Sequence, residues 1–541
     1  MNERPALLSL AVAMAVVAGS PVGAQTVSWR AVIGVNPGVA GPGLPGTARS
    51  YSDVILGDAG TGHVGVRMTM SGASGYWAFR QGTWAQYLKN GVTGALGPGR
   101  TGGESTHVFL DYKTGYGAAG FDGQRVFVAK AGDPNNIVSA TWGVWRWDQQ
   151  KNVEIVRALT DGALGPGMGS DWTYAQNVSF GVLPMNGGRV LVNADVTSPT
   201  GLVNRLLVQA LPGQVNQPCM MRNAITRDLA PNLSTGDMFN TAWDVGSLAV
   251  TPGNRVYGAF SASSGSGIWE VCGGAPRPLA ASGRTGTLGP DIGIPTATFS
   301  GNFGAPRPGV ENHVNFFASY RPAAGESSRT ALFWNDGAGN RPLAMNDAAG
   351  AFGPHWLDAT WSSFDTGSLT SAGEWSAFIA TVRTGDGGTP DGLWRVKAGE
   401  APELVALFGL AGAYGPEPGS TWSSMRAHAV LSNGDILAFA RTNQNSEYAL
   451  WLLKRGAAPR RILAAGQSVL IPTASGVVVD TVASFDIDDS GPALYGGGTD
   501  SWIGADGSVL VQINAATHGN VRATAIPSNP VDLIFRNGFD N

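Results

Sequence analysis

Two sequence marks recur in step along the chain, and they constrain its fold more than any other feature. A Gly-Pro turn, usually after an apolar residue, returns at intervals of roughly 60 residues. An apolar residue followed by Trp returns with the same period. The turns are Gly41-Pro42, Leu96-Gly97-Pro98, Leu164-Gly165-Pro166, the variant Leu229-Ala230-Pro231, Leu288-Gly289-Pro290, Phe352-Gly353-Pro354 and Tyr414-Gly415-Pro416. The tryptophans are Trp77, Trp145, Trp269, Trp334, Trp394, Trp451 and Trp502, with Leu206-Leu207 filling the one gap.

Short apolar or alternating runs lie between these marks, as at residues 64–70, 190–196, 376–382 and 435–441. Gly and Asn punctuate them at hairpin-like positions such as Asn433-Gly434. Each repeat therefore holds about four strands, the content of one propeller blade. We predict an all-β fold, a β-propeller of about eight four-stranded blades, with seven blades as the alternative. A β-solenoid is the main rival, but its rungs are usually shorter.

The composition agrees with many short strands joined by tight turns. Glycine contributes 78 of the 541 residues, charged residues only 14%, and the chain still contains 17 tryptophans. The net charge of −4 and the absence of a basic run argue against nucleic acid as a partner.

The N-terminus has the pattern of a secretory signal peptide. Arg4 precedes an apolar stretch that is too short to span a bilayer, and Val22-Gly23-Ala24 fits a cleavage site. We predict a signal peptide at residues 1–24, a propeller domain at 25–515 and a C-terminal tail at 516–541 that serves sorting or docking. The mature chain would then be periplasmic, at the cell surface or extracellular, without a transmembrane segment.

The two cysteines, Cys219 and Cys272, are separated by close to one repeat length. Export permits a disulfide between neighbouring repeats, which is the favoured interpretation. Two buried free thiols are the alternative, since cysteine packs well as a small hydrophobe.

Three hairpins resemble the tandem "NxxGxxAF" repeats of bacterial exported proteins. The matching segments run from Pro252-Gly253 to Ala259-Phe260, from Gly373 to Ala377-Phe378, and from Asn433-Gly434 to Ala438-Phe439. The ending at residues 531–541 is similar to the short "IFxxGF(E/D)" tails of other exported proteins. The resemblance implies a propeller-like repeat fold and export, and it implies no activity.

No hydrolase elbow, P-loop, dinucleotide fingerprint or closely spaced zinc ligands occur in the sequence. Asp486 and Asp488 form a weak calcium candidate, and no other cofactor is evident. Acidic residues follow the Gly-Pro turns and would share one face of a propeller. Glu104, His107, Asp358 and Glu417 are the catalytic candidates, and Asp171, Asp237, Asp291 and His355 are the ligand-binding candidates. Turn capping is the simpler explanation for these acids.

We therefore predict a secreted or envelope-associated binding or structural module that recognises an extracellular protein or glycan. The alternative is a carbohydrate-active enzyme that uses the acidic residues near the Gly-Pro turns.

Overall fold

The computed structural model of the chain consists of β-strands and short 3₁₀ turns, with no α-helix in the part described. The described residues are 29–34, 49–56, 64–70, 73–80, 83–112, 118–119, 125–148, 150–176, 179–224, 228–240, 243, 247–251, 253–310, 312–473, 475–487, 503 and 509–525. The 3₁₀ turns include Gly94–Leu96, Gly102–Glu104, Ile137–Ser139, Gly162–Leu164, Asn186–Gly188, Gly286–Leu288 and Gly350–Phe352. The predicted signal peptide and residues 526–541 lie outside the described residues.

Seven sheets follow one another along the chain as the blades of a propeller, each with four strand positions paired antiparallel in chain order. Blade 1 contains β2 (Arg49–Leu56), β3 (Val64–Met70), β4 (Ala73–Arg80) and β5 (Thr83–Lys89). Blade 2 contains β6 (Val108–Tyr112), β7 (Ala118–Ala119), β8 (Arg125–Gly132), β9 (Thr141–Trp147) and β10 (Asn152–Arg157). Blade 3 contains β11 (Thr173–Tyr174), β12 (Gly181–Pro184), β13 (Val190–Thr197), β14 (Val203–Ala210) and β15 (Gln217–Met221).

The remaining four blades repeat this order, and where a blade has five strands its first position is split in two. Blade 4 contains β16 (Leu248–Val250), β17 (Val256–Ala262), β18 (Gly265–Val271) and β19 (Arg277–Ala281). Blade 5 contains β20 (Thr298–Gly301), β21 (Arg307–Pro308), β22 (Val314–Arg321), β23 (Arg329–Asn335) and β24 (Asn340–Met345). Blade 6 contains β25 (Thr360–Phe364), β26 (Thr370–Ala372), β27 (Trp375–Arg383), β28 (Asp391–Lys397) and β29 (Glu403–Leu407). Blade 7 contains β30 (Trp422–Val430), β31 (Ile436–Thr442), β32 (Ala449–Leu453) and β33 (Arg460–Leu463).

The eighth repeat is a closed five-stranded barrel, so the structure has seven blades where we expected about eight. The barrel strands are β1 (Trp29–Gly34), β34 (Ser468–Thr473), β35 (Gly476–Asp486), β36 (Val509–Ala515) and β37 (Gly519–Ala525). The first strand pairs parallel with β34 and antiparallel with β37, which closes the sheet on itself. The start of the tail predicted at 516–541 thus belongs to the barrel, because residues 519–525 form its last strand.

Each apolar core lies between two neighbouring sheets rather than inside one. Val128 of blade 2 packs in one cluster with Val192 of blade 3, and Trp394 of blade 6 packs with Phe317 of blade 5. The last such cluster joins blade 7 to the barrel through Phe439 and other apolar residues. A four-stranded sheet with two apolar faces is stable here because a neighbour covers each face.

The two periodic sequence marks meet in space. The indole N–H of Trp145 donates to the carbonyl of Pro98 at 3.1 Å, and Trp269 donates to Pro231 at 2.8 Å. Trp394 repeats the contact with Pro354. Each bond ties the third strand of a blade to the loop that enters that blade. In these three blades the two marks are the two halves of one contact, whereas in blade 7 the Trp451 indole donates to the Ala440 carbonyl.

A buried asparagine holds the same turn in three blades. The Asn340 amide donates to the carbonyls of Leu279, Thr287 and Gly289 at 3.0 to 3.2 Å, which joins blade 5 to the last strand of blade 4 and to the loop between them. Asn152 and Asn216 stand at the equivalent start of the fourth strand in blades 2 and 3 and bond the turns at Gly97 and Gly165.

Cys219 and Cys272 are joined in a disulfide between the fourth strand of blade 3 and the end of the third strand of blade 4. The Cys219 side chain is buried in the cluster shared by these two blades.

Replacing Asn340 by alanine leaves three buried carbonyl acceptors without their donor, and we expect a loss of about 3 kcal/mol in the free energy of unfolding. Asn346→Ala is the matched control, because the Asn346 amide makes one long bond of 3.4 Å to Ser362. That control should lose about 1 kcal/mol or less. Denaturant unfolding of both variants measures the difference, and equal losses would contradict the proposed role of Asn340.

The disulfide closes a sequence separation of 53 residues, for which chain-entropy arguments give a stabilisation of about 4 kcal/mol. We expect the double variant Cys219→Ala/Cys272→Ala to unfold at a lower temperature than the oxidised protein. Reductant should lower the midpoint of the unmodified protein to that of the variant and leave the variant unchanged. A midpoint indifferent to reductant would exclude a stabilising disulfide.

Candidate functional site

Two kinds of loop leave the same end of every blade. With four antiparallel positions in chain order, the hairpin between the second and third strands and the connection to the next blade must lie at one end. We call this the Gly-Pro end, because the connections carry the Gly-Pro turns. The first strands of neighbouring blades contact one another, as β21 does β26, so these strands line the centre of the arrangement.

Exposed apolar side chains concentrate at the Gly-Pro end. Of twelve large hydrophobic residues that are exposed in the described part of the chain, nine lie on or beside these loops. Val215 is on a turn at the opposite end of blade 3, and Val477 and Val479 are on the barrel. Single exposed apolar residues are ordinary on a protein surface, whereas a contiguous exposed apolar patch is typical of interaction sites. The nine are Ile137, Val138, Leu159, Leu202, Val203, Ile294, Leu357, Leu410 and Tyr414.

A cavity of about 710 Å³ with a largely apolar lining lies at this end, beside blade 6. Three loops form it, at residues 356–358, 384–390 and 408–410. Trp356, Phe408 and Pro390 contribute apolar surface, and Leu357 and Leu410 stand at its edge with 79% and 46% of their surface exposed.

The loop that enters blade 6 holds two residues in a backbone conformation that side chains disfavour. His355 has a φ of 48° and Leu357 a φ of 50°. For residues other than glycine, asparagine or aspartate this region costs roughly 1 kcal/mol or more per residue. Such strain is found most often where a loop is shaped for a ligand.

Two carboxylates stand at the same cavity. An Asp358 oxygen accepts a long bond of 3.4 Å from the Gly385 N–H. Asp386 accepts bonds from the Thr384 hydroxyl and from the Gly388 N–H, and these bonds hold the pKa of the Asp386 carboxyl below its usual range. No lysine or arginine lines this cavity.

Asp237 is buried and its carboxylate is occupied by its own blade. It accepts bonds from the hydroxyls of Ser263 and Ser264 and from the Ser264 N–H, at 2.5 to 3.0 Å. The carboxylate thereby pins the entry loop of blade 4 to the hairpin between its second and third strands. Asn443 does the same in blade 7, where it accepts from Thr421.

Glu104 and His107 meet in a network of charges at blade 2. Arg100 donates to Glu154 at 2.7 Å and contacts the His107 ring nitrogen Nδ1 at 2.9 Å. Arg157 bridges Glu154 and Glu104. Burial acts to lower the pKa of Arg157, but the hydrogen bonds and charges of the two glutamates outweigh it and raise that pKa. Since the Arg100 and Glu154 side chains are 3% and 7% exposed, this network stabilises the fold.

The other predicted site residues stay apart. Asp171, Asp291, His355 and Glu417 are exposed on the entry loops of four different blades. The described residues contain no group of three or more His, Cys, Asp or Glu placed to hold a metal ion. Asp486 pairs with Arg426 of blade 7 at 2.9 Å, and Asp488 lies outside the described residues. The described part of the chain also has no helix that is long and apolar enough to cross a membrane.

The sequence analysis missed the apolar residues of the Gly-Pro end. Their signal was present, because Ile137-Val138 stand in the turn-rich segment Asp133-Pro-Asn-Asn, where a large apolar side chain has no core to enter.

Residues 223–492, just under half of the chain, match the model of a family described as "Family of unknown function (DUF7453)". This segment spans blades 4 to 7 and the first part of the C-terminal barrel strands. No curated protein matches the chain.

Solved structures match over most of their own length at low identity. A Dyadobacter fermentans protein of unknown function is 11% identical, covers 51% of this chain and 92% of its own, and has a TM-score of 0.22. Bacillus subtilis levansucrase is 13% identical over 54% of this chain and 83% of its own, with a TM-score of 0.22. An ulvan lyase is 11% identical over 83% of this chain and 98% of its own, with a TM-score of 0.27. Identities and TM-scores this low say nothing about the substrate or chemistry of this chain.

The charge network generates a prediction that separates its two glutamates. Glu154→Gln leaves the buried Arg100 guanidinium without its anionic partner, and we expect a loss of about 3 to 5 kcal/mol in the free energy of unfolding. Glu104→Gln, at a carboxylate that is 41% exposed, should lose less than about 1 kcal/mol. Denaturant unfolding compares the two, and an equal loss at Glu104 would contradict this assignment.

Proposed function

We propose that the chain is an exported binding module whose Gly-Pro end docks a partner protein. The observation that carries the proposal is the concentration of exposed apolar side chains at that end. They come from hairpins and entry loops of blades 2 to 7, so they present a broad surface rather than a single cleft. Loops held by a rigid sheet scaffold are the usual place for recognition residues.

The contacts of Asp237 and Glu104 favour this role over a carbohydrate-active enzyme that would use these two acids. Glycoside hydrolysis needs two carboxyl groups that flank one bond, about 5 to 10 Å apart. Asp237 is saturated by hydroxyl and N–H donors of its own blade, and Glu104 is paired with Arg157. Their contacts are those of residues that fix loops.

Export is part of the proposal, and two features support it. The first 24 residues have the pattern of a signal peptide. A disulfide between blades 3 and 4 is a structural device of oxidising compartments.

A photo-crosslinking experiment tests which end of the protein meets the partner. Val203 and Val215 are each 60% exposed and lie at opposite ends of blade 3. We would replace each in turn by benzoylphenylalanine in the full chain, expressed in the organism of origin. We expect a discrete protein adduct from position 203 and none from position 215.

The matched pair keeps residue type, exposure and blade constant, so only the end of the blade differs. A single partner identified by mass spectrometry at position 203 supports the proposal. Equal crosslinking from both positions, or none from either, would contradict it.

A further inference from the structure

We propose that the cavity beside blade 6 receives an apolar side chain of the partner together with a neighbouring lysine or arginine. This inference rests on the proposed function and names the chemistry of one contact within it. The occupant is a segment of another protein in which a large apolar residue stands next to a basic one.

The shape and lining of the cavity fit the apolar part of this segment. Its volume of about 710 Å³ exceeds that of one side chain, so a short stretch of peptide can enter. Trp356 and Phe408 are half-buried and anchored in the cores on either side of them, which makes the wall rigid. Leu357 and Leu410 stand exposed at the rim, where a partner would cover them.

The negative charge of the cavity favours the basic residue of this segment. Asp358 and Asp386 place two carboxylates at an apolar wall, and no lysine or arginine among the lining residues balances them. The one protein donor to Asp358 given by the structure is the distant Gly385 N–H, so this carboxylate retains capacity to accept. A guanidinium or ammonium group is the complementary ligand, and an apolar surrounding strengthens the pairing.

The backbone conformation of Leu357 gives independent support for recognition at this cavity, because a leucine in this conformation destabilises the fold. Its left-handed backbone favours glycine, and its side chain is 79% exposed, so it contributes little to the core. A glycine at this position would remove the strain. A strained, exposed leucine at this position is explained if its side chain serves recognition.

A glycan is the competing occupant, since Trp356 and the two carboxylates are groups that also bind sugar rings. Leu357 and Leu410 favour a peptide, because exposed leucines offer an apolar edge without hydrogen bonds. The experiment includes an oligosaccharide so that this outcome is visible.

The probes are three blocked, fluorescein-labelled pentapeptides and cellotetraose. The first peptide is Gly-Leu-Phe-Arg-Gly, the second replaces Arg by Glu, and the third replaces Leu and Phe by Ser. Fluorescence anisotropy of residues 25–541 with each peptide gives the affinity. We expect binding of the first peptide only, weakened by salt, with both substitutions costing at least tenfold in affinity.

Three variants locate the contact. Leu357→Gly should weaken the first peptide at least tenfold while the unfolding midpoint stays constant or rises. Val215→Gly is the control, since Val215 is also an exposed apolar residue and lies on a turn at the opposite end of blade 3, outside the proposed docking surface. It should leave binding unchanged. Asp358→Asn should weaken the arginine peptide at least fivefold, which a purely structural role would not do.

The outcomes separate this inference from the proposed function. Absence of arginine-peptide binding at millimolar concentration overturns the inference, as does equal loss in both glycine variants. Cellotetraose binding that Asp358→Asn abolishes also overturns it, in favour of a glycan. If the peptide fails while position 203 still crosslinks to one partner and position 215 does not, the proposed function stands without this contact.

Discussion

A sheet with apolar side chains on both faces must be covered twice, and the whole structure depends on how the chain meets that requirement. Neighbouring blades share their cores, so none of the seven has an apolar interior of its own. In three blades a bond from a third-strand tryptophan to the proline carbonyl of the entry turn joins the two repeated sequence marks, as between Trp145 and Pro98. Gly97 fits there because a Cβ atom at this position would lie 2.3 Å from the Val92 carbonyl oxygen.

The loops at the Gly-Pro end are held to their blades by specific side-chain contacts. Asp237 fastens the entry loop of blade 4 to the hairpin of the same blade, and Asn443 fastens that of blade 7. Leu357 and Leu410 stand on the entry loops of blades 6 and 7 with exposed side chains. Loops held by a rigid frame are a common place for recognition residues, which is consistent with the proposed docking role.

The propeller fold could be predicted from the sequence because the repeated tryptophan and Gly-Pro turn mark the same two positions in successive blades. The last repeat could not, since closure into a barrel depends on pairing of β1 with β34 and β37, which no local pattern shows. The position of the repeated tryptophan along its strand also differs by one residue between blades. In blade 5 the bulge places Phe333 where blade 4 has Trp269, so Trp334 lies one position further along the strand. The acidic residues near the Gly-Pro turns could be identified in the sequence. Their hydrogen-bond donors could not, because they lie on hairpins distant along the chain, as Ser263 and Ser264 do from Asp237.

The pairing of β1 with β37 has a consequence for how the chain reaches its native state. Residues 30–34 meet residues 521–524, so the first described strand has no partner until nearly the whole chain is available. Contacts of such high sequence separation form late and slowly, because the entropy of closing the intervening loop must be overcome first. Blades 1 to 7 can assemble in order as the chain emerges, whereas the barrel is completed last. A chain interrupted before residue 519 would leave β1 without its antiparallel neighbour and the barrel open, which makes the barrel a checkpoint for completeness.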